Sequence, residues 1–164
     1  MSGELEPLQS WRMVVPKDWI DYNGHLNEGY YAVAFGLASD HLLSHLGLNE
    51  SYLADVGTFY TVDTRISYHT EIQEGSEIST RTILLAADEK RLHVLHQLMV
   101  TGLDRTAATQ ESMMLHVRRP GPTVAPMEQP LLGAAAALAE HHRGLDRPTG
   151  LGAGVRQLRG SSGG

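Results

Sequence analysis

The sequence predicts an α+β protein in which an antiparallel sheet of five or more strands wraps around one long central helix. Three observations lead to this expectation. One apolar pattern with helical spacing follows the first strand pattern. Four long runs with strand composition come after it. The turns between these runs are too short for crossover helices, so the strands should be antiparallel.

The first two elements are a strand and the long helix. The strand pattern LQSWRMVVP ends at Pro16, because proline has no N–H to donate to a strand ladder. The helix is predicted from Glu28 to Leu46, where apolar residues recur at spacings of three and four, and Gly47 provides a stop. Few polar side chains interrupt this helix, so a curved sheet is expected to cover most of it.

The sheet is predicted from four runs: GTFYTVDTRISYHTEI, SEISTRTILLAAD, RLHVLHQLMVTG and TAATQESMMLHV. Short turn signals around Gly75, at residues 88–91 and around Asp104 separate these runs and predict successive antiparallel hairpins. Residues 1–120 would form the main domain. Residues 121–164 would be a C-terminal extension of the same unit, with a short alanine-rich helix near Leu131 to His142 and a partly disordered end.

Composition excludes several classes of function. The chain of 164 residues has no cysteine, which excludes disulfides, thiolate nucleophiles and cysteine zinc sites. Residues 1–117 carry 7 Lys and Arg against 16 Asp and Glu, which argues against a nucleic-acid surface. No run is apolar enough to span a membrane, and the N-terminal MSGELEPLQS does not resemble a secretory signal. We therefore expect a cytoplasmic protein with neither a membrane nor a nucleic-acid partner.

A cluster of polar side chains lies immediately before the long helix, in DYNGHLN at residues 21–27. Such residues have ordinary structural uses: Asn27 is a plausible N-cap, Asn23-Gly24 a turn, and Asp21 could cap a turn by bonding its own backbone. A pure interaction module would not need an acid, an imidazole and two amides at one helix N-terminus. The cluster therefore also predicts a site for chemistry, formed by Asp21, Asn23, His25 and Asn27.

The order of strand, long helix and four antiparallel strands is that of the hotdog fold. DYNGHLN, with VDTRISYHTEIQEGSEI, DEKRLHVLHQL and AATQESMMLHV behind it, resembles the acyl-CoA thioesterases of the 4-hydroxybenzoyl-CoA type over about residues 10–118. The W-x-D-Y-N-G-H-L stretch and the D-x-K-R-L-H-V hairpin are most similar to those of the betainyl-CoA thioesterases of bacterial carnitine catabolism. The resemblance implies hydrolysis of a small acyl-CoA to free acid and CoA, with Asp21 in the catalytic position.

The chemistry of thioester hydrolysis suits this cluster. Asp21 can attack the carbonyl carbon or deprotonate a water, while His25 and Asn27 could position the water or the thioester. The backbone N–H groups of Glu28 and Gly29 are unpaired donors at the positive end of the helix dipole, where they could polarise the carbonyl oxygen.

The acyl group is the part of the substrate that the sequence constrains least. A betainyl head would be recognised by aromatic faces and a nearby carboxylate, although the same aromatic lining would also suit an aromatic or short fatty acyl group. Asp63 has Arg65 as its same-face neighbour and has two interpretations. The favoured one is a cross-strand ion pair, and the other places Asp63 in the substrate pocket as a partner of His25 or of a cation. The predicted substrate-binding residues are Trp19, Asn23, Tyr30, Tyr31, Tyr60 and Asp63.

The phosphates of CoA need cations, because neither G-x-G-x-x-G nor G-x-x-x-x-G-K occurs. Lys90 and Arg91 at a hairpin and Arg118 and Arg119 after the last long strand are the candidates. CoA is part of the substrate, so no separate cofactor is expected. No metal is expected either: His41 and His45 lack a third ligand at a recognisable spacing.

Two further expectations concern partners and alternatives. Long exposed edge strands favour pairing with a second copy, so we expect a homodimer or a dimer of dimers. The histidines on strands, His93, His96 and His116, are predicted to be hydrogen-bonded structural residues. A hotdog protein that only binds acyl-CoA, or a dehydratase, is the alternative to a thioesterase, because fold alone does not separate these functions.

Overall fold

The computed structural model describes residues 6–156 and has the predicted architecture, a curled antiparallel sheet around one long helix. The long helix occupies the predicted residues, and the alanine-rich helix is also present. Two short elements, α2 and β6, were not predicted, because neither is long enough to give a periodic pattern. The helices are α1 (Glu28–Leu46), α2 (Glu50–Asp55) and α3 (Leu131–His141). The strands are β1 (Leu8–Val14), β2 (Gly57–Tyr68), β3 (Glu77–Ala87), β4 (Arg91–Val100), β5 (Thr106–Arg118) and β6 (Thr123–Val124).

Helix α1 is enclosed on one side by the sheet and open on the other. It ends at Gly47, whose φ of 108° is a left-handed conformation that glycine adopts without strain. The exposed side of the helix still carries Val33 and Leu37, so part of an apolar surface is left uncovered within one chain. The side against the sheet buries Tyr31, Ala34, Phe35, Ala38, Leu42, Leu43 and Leu46.

The strand order is β1-β3-β4-β5-β2, with every pair antiparallel and β6 added beside the end of β5. The predicted hairpins between β3 and β4 and between β4 and β5 are confirmed. The predicted hairpin between β2 and β3 is wrong, because β2 pairs with β5 at the far edge of the sheet. The segment between β2 and β3 crosses the sheet instead, since Ile72 is buried in the core beside Leu26 and Tyr31.

Buried histidines tie the helix to the sheet. His96 on β4 lies 3.0 Å through Nε2 from Ser39 Oγ on α1 and 2.8 Å through Nδ1 from Thr82 Oγ1 on β3. Burial lowers the pKa of His96 to about 3, so this imidazole is neutral. His116 bonds in the same way to the hydroxyl of Tyr52 and to a backbone carbonyl. The prediction that the strand histidines are hydrogen-bonded structural residues is confirmed, with His93 paired to Glu111 at 2.7 Å.

The chain after α3 lies on the face of the sheet opposite α1. Leu145 and Leu151 pack against a small apolar cluster on β3 and β4. The backbone N–H of Gly152 donates to both carboxylate oxygens of Glu111, at 2.7 and 2.9 Å. The last eight residues, 157–164, on which part of the predicted disorder falls, lie outside the described residues, as do residues 1–5.

Candidate active site

The predicted catalytic residues lie on a tight loop between β1 and α1. Ile20 and Leu26 form an isolated antiparallel bridge that closes the loop. Within it, the backbone N–H of Asp21 donates to the carbonyl of His25 at 3.0 Å, and that of Gly24 to the carbonyl of Asp21 at 3.0 Å. Gly24 has a φ of +79°, which explains why glycine suits this turn. Residues 21–27 are therefore held in a defined shape.

The carboxylate of Asp21 is half-buried at the mouth of this loop. Its Oδ1 accepts the backbone N–H of Asn23 at 2.8 Å, the Asx turn anticipated as its structural role. This bond fixes the orientation of the carboxylate. Among the described residues, no donor is paired with Oδ2, so this oxygen is free to receive a proton. The structural and the catalytic interpretation of Asp21 are thus compatible.

At the start of α1, one of the two predicted backbone donors is hydrogen-bonded within the chain and the other is free. Asn27 is the N-cap, and its Oδ1 accepts the N–H of Gly29 at 2.9 Å. A Cβ at position 29 would lie 3.3 Å from that oxygen, so glycine leaves room for the cap. The N–H of Glu28 has no acceptor among the described residues. Within one chain, the side chain of Asn27 therefore acts as a helix cap. The backbone N–H of Glu28 is the donor that remains available.

A second carboxylate reaches the loop from the segment that crosses the sheet. The backbone N–H of Leu26 donates to the carbonyl of Ile72 at 2.8 Å, which brings Glu71 beside His25. Glu71 Oε2 is 3.2 Å from His25 Nε2. Sequence reasoning missed Glu71 because it extended β2 to Ile72. The sequence contains no local signal for the crossing, because the crossing results from the burial of Ile72 in the core.

These residues surround an open cleft of about 610 Å³. Tyr31 and Tyr68 meet edge to face at its base, with ring centroids 4.9 Å apart. Burial is the main cause of the raised pKa of Tyr31, with Tyr68 and Glu71 adding to it. Burial and then Glu28 raise the pKa of Tyr68. No Lys or Arg is among the described residues that line the cleft, which are Asp21, Tyr22, Asn23, His25, Leu26, Asn27, Glu28, Tyr31, Tyr68, His69, Thr70 and Glu71.

Trp19 and Tyr30, two predicted substrate-binding residues, lie outside this cleft. Their rings stack on each other at 4.8 Å with 14° between the planes. The carbonyl of Trp19 accepts the N–H of Asn27 at 2.9 Å, so the stacked pair supports the loop from behind. Of the adjacent pair Tyr30 and Tyr31, only Tyr31 reaches the cleft, as expected for neighbours about 100° apart on a helix.

Tyr60 and Asp63 are not brought to the cleft within one chain either. Tyr60 lies near the other end of β2, eight residues or roughly 26 Å of strand from Tyr68. Asp63 is exposed and follows an irregularity between Thr61 and Asp63 in the pairing with β5. The favoured ion pair with Arg65 is absent from the described residues, because Arg65 donates to the carbonyl of Gly150 at 3.2 Å instead. Asp63 is also no partner of His25 within the chain.

The four predicted CoA cations gather at the Tyr60 end of the sheet. Arg91 pairs in register with Leu115, which in turn pairs with Tyr60. Arg91 is also bonded through its side chain to Asp88, and Lys90 lies 3.2 Å from Glu89. Arg118 ends β5, with Glu128 at 3.8 Å. Arg119 and Tyr60 line a second hollow, of about 500 Å³. One chain therefore carries the acidic cleft and the cations at opposite ends of β2.

Two other observations concern ions and membranes. Within residues 6–156, His, Asp and Glu side chains nowhere gather in a group of three that could hold a metal ion. None of the helices in the same range combines the length and the hydropathy needed to span a bilayer.

Comparison with protein families gives a match to the Thioesterase-like superfamily over residues 14–135, which includes the loop, α1 and all five long strands except most of β1. The chain is 38% identical over 146 residues to the betainyl-CoA thioesterase of Pseudomonas aeruginosa, a match that covers 88% of this chain and 92% of that protein. It is 35% identical over 158 residues to the L-carnitine dehydrogenase/betainyl-CoA thioesterase of a Rhizobium species, covering 96% of this chain and 32% of that longer protein.

Solved structures agree in fold. A Pseudomonas putida protein solved as a candidate thioesterase superimposes with a TM-score of 0.80 at 31% identity, covering 93% of this chain and 98% of that one. A Staphylococcus aureus protein in complex with CoA gives a TM-score of 0.84 at 20% identity, with 96% and 100% covered. The second likeness, at this identity, concerns the fold alone.

Proposed function

Because this chain belongs to the Thioesterase-like superfamily, we propose that it hydrolyses an acyl-CoA in the cleft at the N-terminus of α1, and that the acyl group is betainyl. The single observation that carries the site is the position of Asp21. Its carboxylate is fixed by Asn23 and lies in the same cleft as the first turn of α1 and His25. A base or nucleophile and a backbone donor for the carbonyl oxygen are the two parts that thioester cleavage needs.

In this mechanism the thioester carbonyl oxygen accepts the free N–H of Glu28. A single donor of this kind contributes about 2.7–4 kcal/mol to the transition state. Asp21 either attacks the carbonyl carbon, which expels CoA thiolate and leaves an aspartyl anhydride that water then hydrolyses, or deprotonates a water that attacks the carbonyl carbon. In both routes the C–S bond breaks, and the proton released from water is available to the departing CoA thiolate. His25, held by Glu71, lines the same cleft as Asp21 and can orient the water. Asn27 acts through its cap, which fixes the first helical turn.

The betainyl group is favoured by the two curated relatives and by the charge of the cleft. Those relatives are named for betainyl-CoA. The described lining of the cleft contains Asp21, Glu28 and Glu71 and no basic residue other than histidine. A cationic acyl group is complementary to this lining. An aromatic or short fatty acyl group would carry no charge complementary to these carboxylates.

We also propose that the enzyme is a homodimer in which the β2 edges of two copies pair antiparallel. Within the described residues, β2 bonds only to β5, and its other edge carries no partner strand. The strand exposes Tyr60 and Val62, and the open side of α1 adds Val33 and Leu37. Antiparallel pairing near the middle of β2 would put Tyr68 of one chain beside the Gly57 end of the other. Arg118 and Arg119 of that second chain would then meet the CoA phosphates.

The decisive assay is release of free CoA from a panel of acyl-CoA thioesters by the native enzyme and by Asp21→Asn. The variant keeps the shape of the side chain and its acceptor oxygen while removing its basicity, so hydrolysis should fall at least about a hundredfold. Asp18→Asn, which changes an exposed carboxylate three residues earlier, is the matched control and should keep native turnover. Near-native turnover by Asp21→Asn would move the chemistry to another residue.

The same assay separates hydrolysis from the alternatives. An acyl-CoA binding protein or a dehydratase would release no CoA from any member of the panel. The proposed site of the reaction is the cytoplasm, where CoA thioesters are used. A chain without cysteine is compatible with that compartment, because it needs no disulfides.

A further inference from the structure

The geometry points to a subsite for the quaternary ammonium head, formed by Tyr68 at the end of β2 and Glu71 on the crossing segment, with Glu28 as a second carboxylate. This inference rests on the proposed function. Tyr68 takes the place of Trp19 and Tyr30, which were expected from the sequence but stack on each other outside the cleft.

The size of the betainyl group limits where its head can bind. A single methylene separates the quaternary nitrogen from the thioester carbonyl carbon, so the two atoms are within about 3 Å of each other. Groups that recognise the head must therefore adjoin Asp21 and the N–H of Glu28. Tyr68 and Glu71 line the same cleft as those groups. Tyr60 lies roughly 26 Å of strand away and is excluded within one chain.

Tyr68 offers the accessible aromatic surface. Its partner Tyr31 is only 4% exposed, whereas Tyr68 is 49% exposed and meets Tyr31 edge to face. The hydroxyl of Tyr31 lies 3.5 Å from the carbonyl of Thr70, which holds this ring in place. Tyr31 therefore supports Tyr68 from the core side, and the exposed ring of Tyr68 can contact a trimethylammonium group by cation–π attraction.

Glu71 supplies the charge that a neutral acyl group would not need. It contacts His25 at 3.2 Å, with its side chain still 69% exposed. A trimethylammonium group has no N–H to donate, so it is recognised by charge and by aromatic surface rather than by hydrogen bonds. Glu71 and Glu28 line the same cleft as Tyr31 and Tyr68. The ring of Tyr68 and the carboxylates of Glu71 and Glu28 thus lie in one cleft, beside the position of the thioester.

The test compares betainyl-CoA with tert-butylacetyl-CoA, which has the same shape without the charge. In the native enzyme we expect kcat/KM to favour betainyl-CoA by at least about tenfold. Glu71→Gln and Tyr68→Leu should each reduce that ratio about fivefold or more, while Tyr68→Phe, which keeps the ring, should preserve it. Glu74→Gln removes an exposed carboxylate outside the cleft and is the matched control. Tetramethylammonium should inhibit the native enzyme competitively and Glu71→Gln more weakly.

The outcomes separate the subsite from the proposed function. Equal losses for both substrates in Glu71→Gln would mean that Glu71 acts only through His25, and would overturn the subsite. An unchanged ratio in both Glu71→Gln and Tyr68→Leu would also overturn it, while leaving betainyl-CoA as the substrate. Failure of the native enzyme to release CoA from betainyl-CoA would instead overturn the proposed function, before any variant is made.

Discussion

The two ends of strand β2 differ in charge and in the chemistry they can perform. At the Tyr68 end lies the cleft with Asp21, Glu28 and Glu71, and without Lys or Arg among its described lining residues. At the Tyr60 end lie Arg119 and the hairpin with Lys90 and Arg91. The first end has the groups for attack on a thioester, and the second has the groups that phosphates require.

This separation leaves the described lining of the catalytic cleft without a Lys or Arg for the phosphates of an acyl-CoA. The ends are roughly 26 Å apart along the strand, and at the Tyr68 end Arg65 and Arg156 line a separate hollow beside Tyr68 and His69. Two copies joined edge to edge along β2 would bring one acidic end and one basic end together twice. The comparison therefore favours a dimer with two composite sites.

The largest effect is expected from blocking the β2 edge. Val62→Lys places a charge on a residue that is 56% exposed near the middle of the strand, and two such charges would face each other across a two-fold axis. We expect monomers in light scattering and a fall in kcat/KM of about a hundredfold, because each cleft loses both arginines and the rest of the surface that the second copy would place around the CoA. Val124→Lys, at an equally exposed valine on β6, should leave both properties native.

A smaller effect is expected from removing cations at the Tyr60 end. The double substitution Arg118→Ala and Arg119→Ala should raise KM about tenfold with little change in kcat, because these side chains would bind phosphate and not the reacting atoms. The KM of the variant should also depend less on salt concentration than the native KM. Arg143→Ala, at an exposed arginine after α3, serves as the control. A fall in kcat with unchanged KM would contradict this role.

The stability of the fold, as distinct from the chemistry at the two ends of β2, depends on the buried His96. Its pKa is about 3 in the folded protein against an ordinary value of 6.5, so protonation favours the unfolded chain. The free energy of unfolding should therefore fall as pH decreases below 6.5, by up to about 1.4 kcal/mol per pH unit from this group. His142, whose pKa burial lowers to about 4, adds to the same slope. Urea unfolding of native protein and of His96→Gln at several pH values measures it, and identical slopes would contradict the assignment.

The smallest effect concerns the start of α1. Asn27→Ala removes the cap on the Gly29 N–H and should lower the free energy of unfolding by about 1 kcal/mol, whereas Asn27→Asp keeps the cap and should stay within a few tenths of native. Thermal unfolding of the two variants makes the comparison. A loss of activity in Asn27→Asp as large as that in Asn27→Ala would show that the amide does more than cap.

The sequence was sufficient for the elements whose signals are local. The spacing of apolar residues located α1 at residues 28–46, and DYNGHLN identified the loop before it. Asp21, His25 and the N–H of Glu28 were also placed together by this local pattern, because a strand, loop and helix that follow one another need no long-range information.

What the sequence did not reveal depends on contacts between distant residues. The crossing of the chain after β2 is set by burial of Ile72 and by its bond to Leu26, 46 positions earlier in the chain. This contact moves β2 to the edge and brings Glu71 to His25. The stacking of Trp19 on Tyr30 is equally invisible to spacing arguments. Residue type suggested aromatic recognition and included Tyr31, whereas only the three-dimensional arrangement showed that Tyr68 also lies in the cleft.

The most direct test of a site composed from both ends is complementation between two chains that are impaired in different parts of the site. One chain carries Asp21→Asn and the other carries Arg118→Ala with Arg119→Ala, and the mixed dimer is purified through two different tags. At subsaturating betainyl-CoA, a composite site predicts that one of its two clefts is intact, so kcat/KM per dimer should return to about half the native value. If cleft and cations act within one chain, both sites of the mixed dimer stay damaged, and activity no higher than the average of the two parent variants would contradict the account.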